Sequence, residues 1–172
     1  MKFSLTHTFT ATLERYERAL FHPALMEFLV PRMPGVKAVE VLEHVEENGV
    51  VRRKRRFIPN APASLPAFAR GVKPEMMQWV EDSVYERATH LFRYENVPNI
   101  PPSYRSWFVN KGEYRIDAEG PQRVRRRITG ELTLKVPLIG GIGERLIWKE
   151  AERNFESEAK ALQEFLDTRT DL

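Results

Sequence analysis

The stretch 122–136 constrains this chain more than any other. Val124, Ile128, Leu132, Leu134 and Val136 fall on one parity with Gly130. Arg125, Arg127, Thr129, Glu131, Thr133 and Lys135 fall on the other. A period of two puts these sets on opposite faces of one strand. Pro137 and the glycines Gly140, Gly141 and Gly143 then interrupt the pattern, and a helical one follows. Trp148, Ala151, Phe155, Ala159, Leu162 and Leu166 recur at helical spacing up to Asp167, with charges on the opposite side. An amphipathic helix that follows a one-sided strand has to bury its stripe on the apolar face of a sheet.

The rest of the chain supplies that sheet. Phe3, Leu5, His7 and Phe9 alternate with polar residues over 2–10, which predicts a first strand with one buried face. Thr12 can cap a short helix over 13–20, and Pro23 suits the start of a second over 24–29. Strands are expected at 36–46 and 49–58, joined by the hairpin signal Glu47-Asn48-Gly49. Residues 59–75 carry Pro59, Pro62, Pro66 and Pro74, a long irregular connection of the kind that edges binding sites. Extended patterns resume at 76–81, 84–96, 104–117 and 122–136, with Pro98, Pro101 and Pro102 breaking between two of them. The sum is one α+β domain over 1–172. A curved antiparallel sheet of about six to seven strands wraps the long C-terminal helix, with two short helices after the first strand.

Composition narrows the chemistry. With 42% hydrophobic and 30% charged residues the chain has the makings of a packed core and is not of the disordered class. The absence of cysteine excludes disulfides, thiolate metal sites and a cysteine nucleophile. No stretch approaches the ~18–20 apolar residues of a membrane span, and the first residues lack a signal-peptide core, so a cytoplasmic protein is expected. No metal-ligand spacing, nucleophile elbow or phosphate-binding loop appears, so no cofactor or metal is expected. The glycines at 140–143 read as a tight strand-to-helix turn.

The net charge is only +3, so distribution matters more than the total. Arg52, Arg53, Lys54, Arg55 and Arg56 form a basic run whose alternate members must face opposite sides. It reads as a solvated edge strand, with transient docking to an anionic membrane surface as the sharper alternative. Nucleic acid is not an expected partner, because no aromatics are interleaved for base stacking. The oligomeric state is left open.

Four polar residues fall on faces that should be apolar. His7 lies among Phe3, Leu5 and Phe9. Glu86 and His90 share a parity with Val84, Ala88, Phe92 and Tyr94, and Arg126 shares one with Val124, Ile128 and Leu132. An unsatisfied polar group costs on the order of 2–7 kcal/mol to bury. These residues therefore form the polar pole of an apolar cavity, where Arg126 or His90 would meet a carboxylate or phosphate headgroup, or else Glu86 pairs internally with Arg126 or a strand bulge turns one of them outward. A catalytic dyad of Glu86 and His90 is disfavoured, since residues four apart on a strand stand ~13 Å apart. Phe92, Tyr94, Phe108, Leu132, Trp148 and Phe155 are the expected apolar lining.

The order of elements resembles that of the START and polyketide-cyclase-like superfamily, the helix-grip fold. The resemblance runs through FSLTHTF, ALFHPALMEFL, MPGV and WVEDSVYERATHLFRYENVPNIP. It is most specific in RVRRRITGELTLKVPLIGGIGERLIWKEAERNFESEAKALQEFL, which is similar to an uncharacterised bacterial branch. It implies a cavity for a small hydrophobic or lipid-like ligand. A cyclase- or hydrolase-like enzyme using His7 or His90, or a packed scaffold with no ligand, are the alternatives, because the fold hosts several activities.

Overall fold

The computed structural model describes residues 1–60, 74–135 and 140–172. The chain runs β1 (Lys2–Phe9), α1 (Leu13–Phe21), α2 (Leu25–Leu29), β2 (Val36–Glu47), β3 (Val50–Pro59), β4 (Trp79–Glu86), β5 (Leu91–Pro98), β6 (Phe108–Gly120), β7 (Arg123–Leu134) and α3 (Gly140–Thr168). Single 3-10 segments lie at Val30–Arg32, Pro74–Met77 and Pro102–Trp107. The strands form one antiparallel sheet of seven in the order β1-β7-β6-β5-β4-β3-β2. The two short helices carry the chain from β1 at one edge to β2 at the other. A meander of hairpins then returns it to pair with β1.

Local chemistry explains the turning points. The Thr12 hydroxyl accepts from the Arg15 N–H at 3.1 Å, which caps α1. Asn48 and Gly49 both take positive φ, 51° and 76°, and close the β2–β3 hairpin with a primed turn. The α3 helix packs along β7 and against α1 and α2. Its C-terminal half buries Ala159, Ala161, Leu162, Phe165 and Leu166. Phe165 meets Phe28 and His22 edge-on, at 5.3 and 5.5 Å between ring centres.

Three expectations change. The single strand expected at 84–96 is a hairpin, because the chain turns through Arg87, Ala88, Thr89 and His90, with His90 at φ 50°. Residues 104–107 belong to the 3-10 segment rather than to the strand that follows. The basic run is not at the sheet edge, since β3 lies between β4 and β2. Most of the expected loop 59–75, together with Val136 and Pro137, lies outside the described residues.

Candidate functional site

Alternation and register together set out the inner face. One cross-strand row runs Phe3, Gly130, Gly112, Tyr94, Ser83 and Arg53, each directly opposite the next. The row beside it runs Leu5, Ile128, Tyr114, Phe92, Tyr85 and Val51. The second row is bulky throughout. The first has little or no side chain at Gly130, Gly112 and Ser83. Its two rings lie down across the glycines: a Cβ on Gly130 would stand 2.5 Å from the Phe3 ring, and one on Gly112 would stand 2.8 Å from the Tyr94 hydroxyl. The floor of the sheet is therefore low along this row. Phe155 of α3 faces Tyr114 edge-on at 6.3 Å, and Trp148 stacks on Phe3 at 4.4 Å.

Charged groups are built into this apolar surface. Arg126 is 1% exposed and makes a two-pronged pair with Glu158 of α3, at 2.9 and 2.5 Å. Burial works against its charge, but the Glu158 carboxylate holds the guanidinium above its ordinary value. Arg126 also reaches the His7 Nδ1 at 3.2 Å. A guanidinium can only donate, so Nδ1 accepts, and the Nε2–H donates to Glu156 at 3.1 Å. His7 is thereby neutral. Burial and the neighbouring Arg126 charge lower its pKa from 6.5.

On β3 and β4, Arg55 and Glu81 form a second buried pair at 2.6 Å. Arg53, one inward position along, is buried without such a partner among the described residues. It donates to the Leu20 carbonyl at 3.1 Å and lies over the Phe21 and Phe92 rings at 4.9 and 5.6 Å. Burial, reinforced by the Arg55 charge, pulls its guanidinium down to about 9. The Tyr94 hydroxyl, the Tyr16 hydroxyl and the Arg53 Nε are buried with no hydrogen-bond partner among the described residues. Burial raises the pKa of both tyrosines.

The structure sorts the residues singled out by sequence. Phe92, Tyr94, Leu132 and Arg126 lie on the inner face and are buried, joined there by His7. Phe108, Trp148 and Phe155 are half-buried. Glu86 is corrected to the outer face, where it pairs with Arg93 at 2.6 Å. The unforeseen turn at 87–90 ends β4 at Glu86, whose inward neighbour is Tyr85. The Glu86–Arg126 pair therefore does not form. His90 sits in that turn, half-exposed, with its Nδ1 2.7 Å from Glu17.

Sequence reasoning misses Arg53, Arg55 and Glu81. The alternation within the basic run is visible, but an edge-strand reading leaves its inward half solvated. Glu81 and Ser83 share the parity of Trp79 and Tyr85 on β4, a signal that would place both inside. On the opposite, outer face lies an open groove of about 710 Å³, bordered by Asp82, Arg93, Glu95, Lys111 and Glu131.

Residues 4–166 match the family described as "Protein of unknown function (DUF2505)". The chain belongs to this family. No curated protein matches this DUF2505 chain. Among solved structures it is similar to TTHA0849 from Thermus thermophilus, at 22% identity and a TM-score of 0.68 over 99% of this chain and 100% of that one. It is similar to the Zhui aromatase/cyclase from Streptomyces sp. R1128, at 15% identity and 0.68 over 98% and 94%. A START superfamily protein from Mycobacterium smegmatis aligns at 14% identity and 0.55 over 96% and 97%. The DUF2505 chain thus has the START and polyketide-cyclase-like helix-grip fold, as its sequence implies. Among the described residues no helix is long and apolar enough to cross a membrane.

Proposed function

We propose that this chain binds a small apolar ligand between the inner face of β3–β7 and α3. The observation that carries this reading is the low central row, where Gly130, Gly112 and Ser83 put little or no side chain on the inner face. A sheet that packs only against its own helix gains from bulk at such positions, because interiors are filled to near-crystalline density. Here the flanking rings lie flat and the Tyr94 hydroxyl has no partner among the described residues. Apolar walls with a few convergent polar groups are the composition of a ligand site.

In this reading Phe92, Tyr94, Leu132, Trp148 and Phe155 supply the desolvating surface, and Phe108 borders it. Arg126 and His7, already engaged with Glu158 and Glu156, hold the helix on the sheet. Burial of apolar ligand area contributes about 25 cal/mol per Å² before the costs of association. The outer groove is the poorer candidate, since its rim carries mixed charges that pair with one another, as Lys111 does with Glu131 at 3.3 Å.

Native mass spectrometry of freshly purified protein, followed by organic extraction, tests the proposal. A discrete added mass that extracts as an apolar compound is expected. A clean apoprotein mass, together with no uptake of the neutral fluorophore N-phenyl-1-naphthylamine, would contradict it.

A further inference from the structure

The inward positions along β3 and β4 form a ladder of facing pairs: Val51 with Tyr85, Arg53 with Ser83, Arg55 with Glu81, and Phe57 with Trp79. One rung is a neutralised ion pair. The rung beside it has the cation without the anion. Ser83 cannot supply the charge, and its hydroxyl lies 3.4 Å from the Arg53 carbonyl rather than the guanidinium. The other carboxylates that reach the inner face are occupied. Glu81 is held by Arg55, Glu158 by Arg126, Glu156 by His7, and Glu17 accepts from Tyr85 and His90. Residues 61–73 and 136–139 contain no Asp or Glu.

Arg53 nevertheless is only 8% exposed. Of the five N–H donors on a guanidinium, it spends one on Leu20, and its Nε is buried without a partner among the described residues. A buried charge is retained at a cost unless something neutralises it. Its Cζ lies 4.9 Å from the Phe21 ring centre and 5.6 Å from that of Phe92, so its surroundings are aromatic rather than anionic.

We propose that Arg53 anchors an anionic group on the apolar ligand, a carboxylate or a group of equivalent geometry. The inference rests on the ligand-binding reading above and names the class of ligand: an apolar acid, seated with its charge at the β3–β4 end of the row and its body against the Tyr94 and Phe3 rings that cover Gly112 and Gly130. Charge-assisted, two-pronged bonds from a desolvated guanidinium give both orientation and preference for acids over neutral analogues. The same anion would supply the charge that Ser83 does not.

The experiment compares two fluorophores that share one frame. 1-Anilinonaphthalene-8-sulfonate carries an anion, and N-phenyl-1-naphthylamine lacks it. The readout is the ratio of their dissociation constants. Wild-type protein is expected to favour the sulfonate by about tenfold or more, the margin of one charged hydrogen bond. Arg53→Met is expected to bring the ratio to about one. Ser83→Glu is expected to do the same from the opposite strand, by giving Arg53 an internal partner as Glu81 does for Arg55. This second variant keeps the test decisive if Arg53→Met fails to fold. Equal affinities in wild type, or a preference that survives in a folded Arg53→Met or Ser83→Glu protein, would overturn the proposal while leaving apolar binding intact. Failure of wild type to bind either probe would overturn the binding reading with it.

Discussion

Arg55 and Glu81 stand directly opposite each other on β3 and β4 and join their charges at 2.6 Å inside the curve of the sheet. Both are almost wholly buried. Removing one partner strands the other. Glu81→Gln is therefore expected to cost about 3–5 kcal/mol in urea unfolding, whereas replacing both by methionine is expected to be neutral or stabilising. A double variant as unstable as the single one would show that the pair does more than compensate itself.

Arg126 and Glu158 tie β7 to the middle of α3 across 32 positions of sequence. Glu158→Gln leaves the buried Arg126 charge without its carboxylate, with an expected loss of about 3–5 kcal/mol. The loss is expected to loosen the helix first. Amide hydrogen exchange should quicken over α3 before it does over β6 and β7. Uniform quickening across the sheet would argue against this role.

His7 gives a pH signature. Its pKa is lowered from 6.5 in the fold, by burial first and then by Arg126. The unfolded chain therefore takes up a proton near pH 6.5 that the folded chain does not. The stability contribution is present above 6.5 and falls as the pH drops through that value, with a slope that can approach about 1.4 kcal/mol per pH unit. Denaturant melts between pH 7 and 5 should show this decline in wild type and a flatter one in His7→Gln. Equal slopes would mean that His7 titrates alike in both states.

Gly112 lets the Tyr94 ring lie across β6. A Cβ there would stand 2.5 Å from the Thr129 carbonyl as well as 2.8 Å from the Tyr94 hydroxyl. Gly112→Val is expected to cost about 1–3 kcal/mol as overpacking and to lift the Tyr94 ring from the sheet. Nuclear Overhauser contacts between Tyr94 and residue 112 report the displacement. An unchanged ring position with unchanged stability would contradict it.

Much of the fold is legible in local patterns. The alternation in β7, the Thr12 cap and the Asn48–Gly49 turn each have a short-range cause, and each forms as expected. The β4–β5 turn is hidden because Arg87-Ala88-Thr89-His90 contains no glycine, proline or asparagine. His90 takes the positive φ there, and missing that one turn puts Glu86 on the wrong face. The site is less legible for a different reason. Arg126 is recognisable as an inward charge, but its partner Glu158 lies on α3, and Glu81 lies on a strand 26 positions from Arg55. Such pairings are set by register and helix rotation, which periodicity alone does not encode.

The place of the ligand is the central claim, and intermolecular Overhauser contacts test it most directly. N-phenyl-1-naphthylamine titrated into labelled protein is expected to show contacts with the rings of Phe92, Tyr94, Tyr114 and Phe155 on the inner face. Contacts confined to the methyl groups of Val84 and Val97, beside the outer groove, would contradict it.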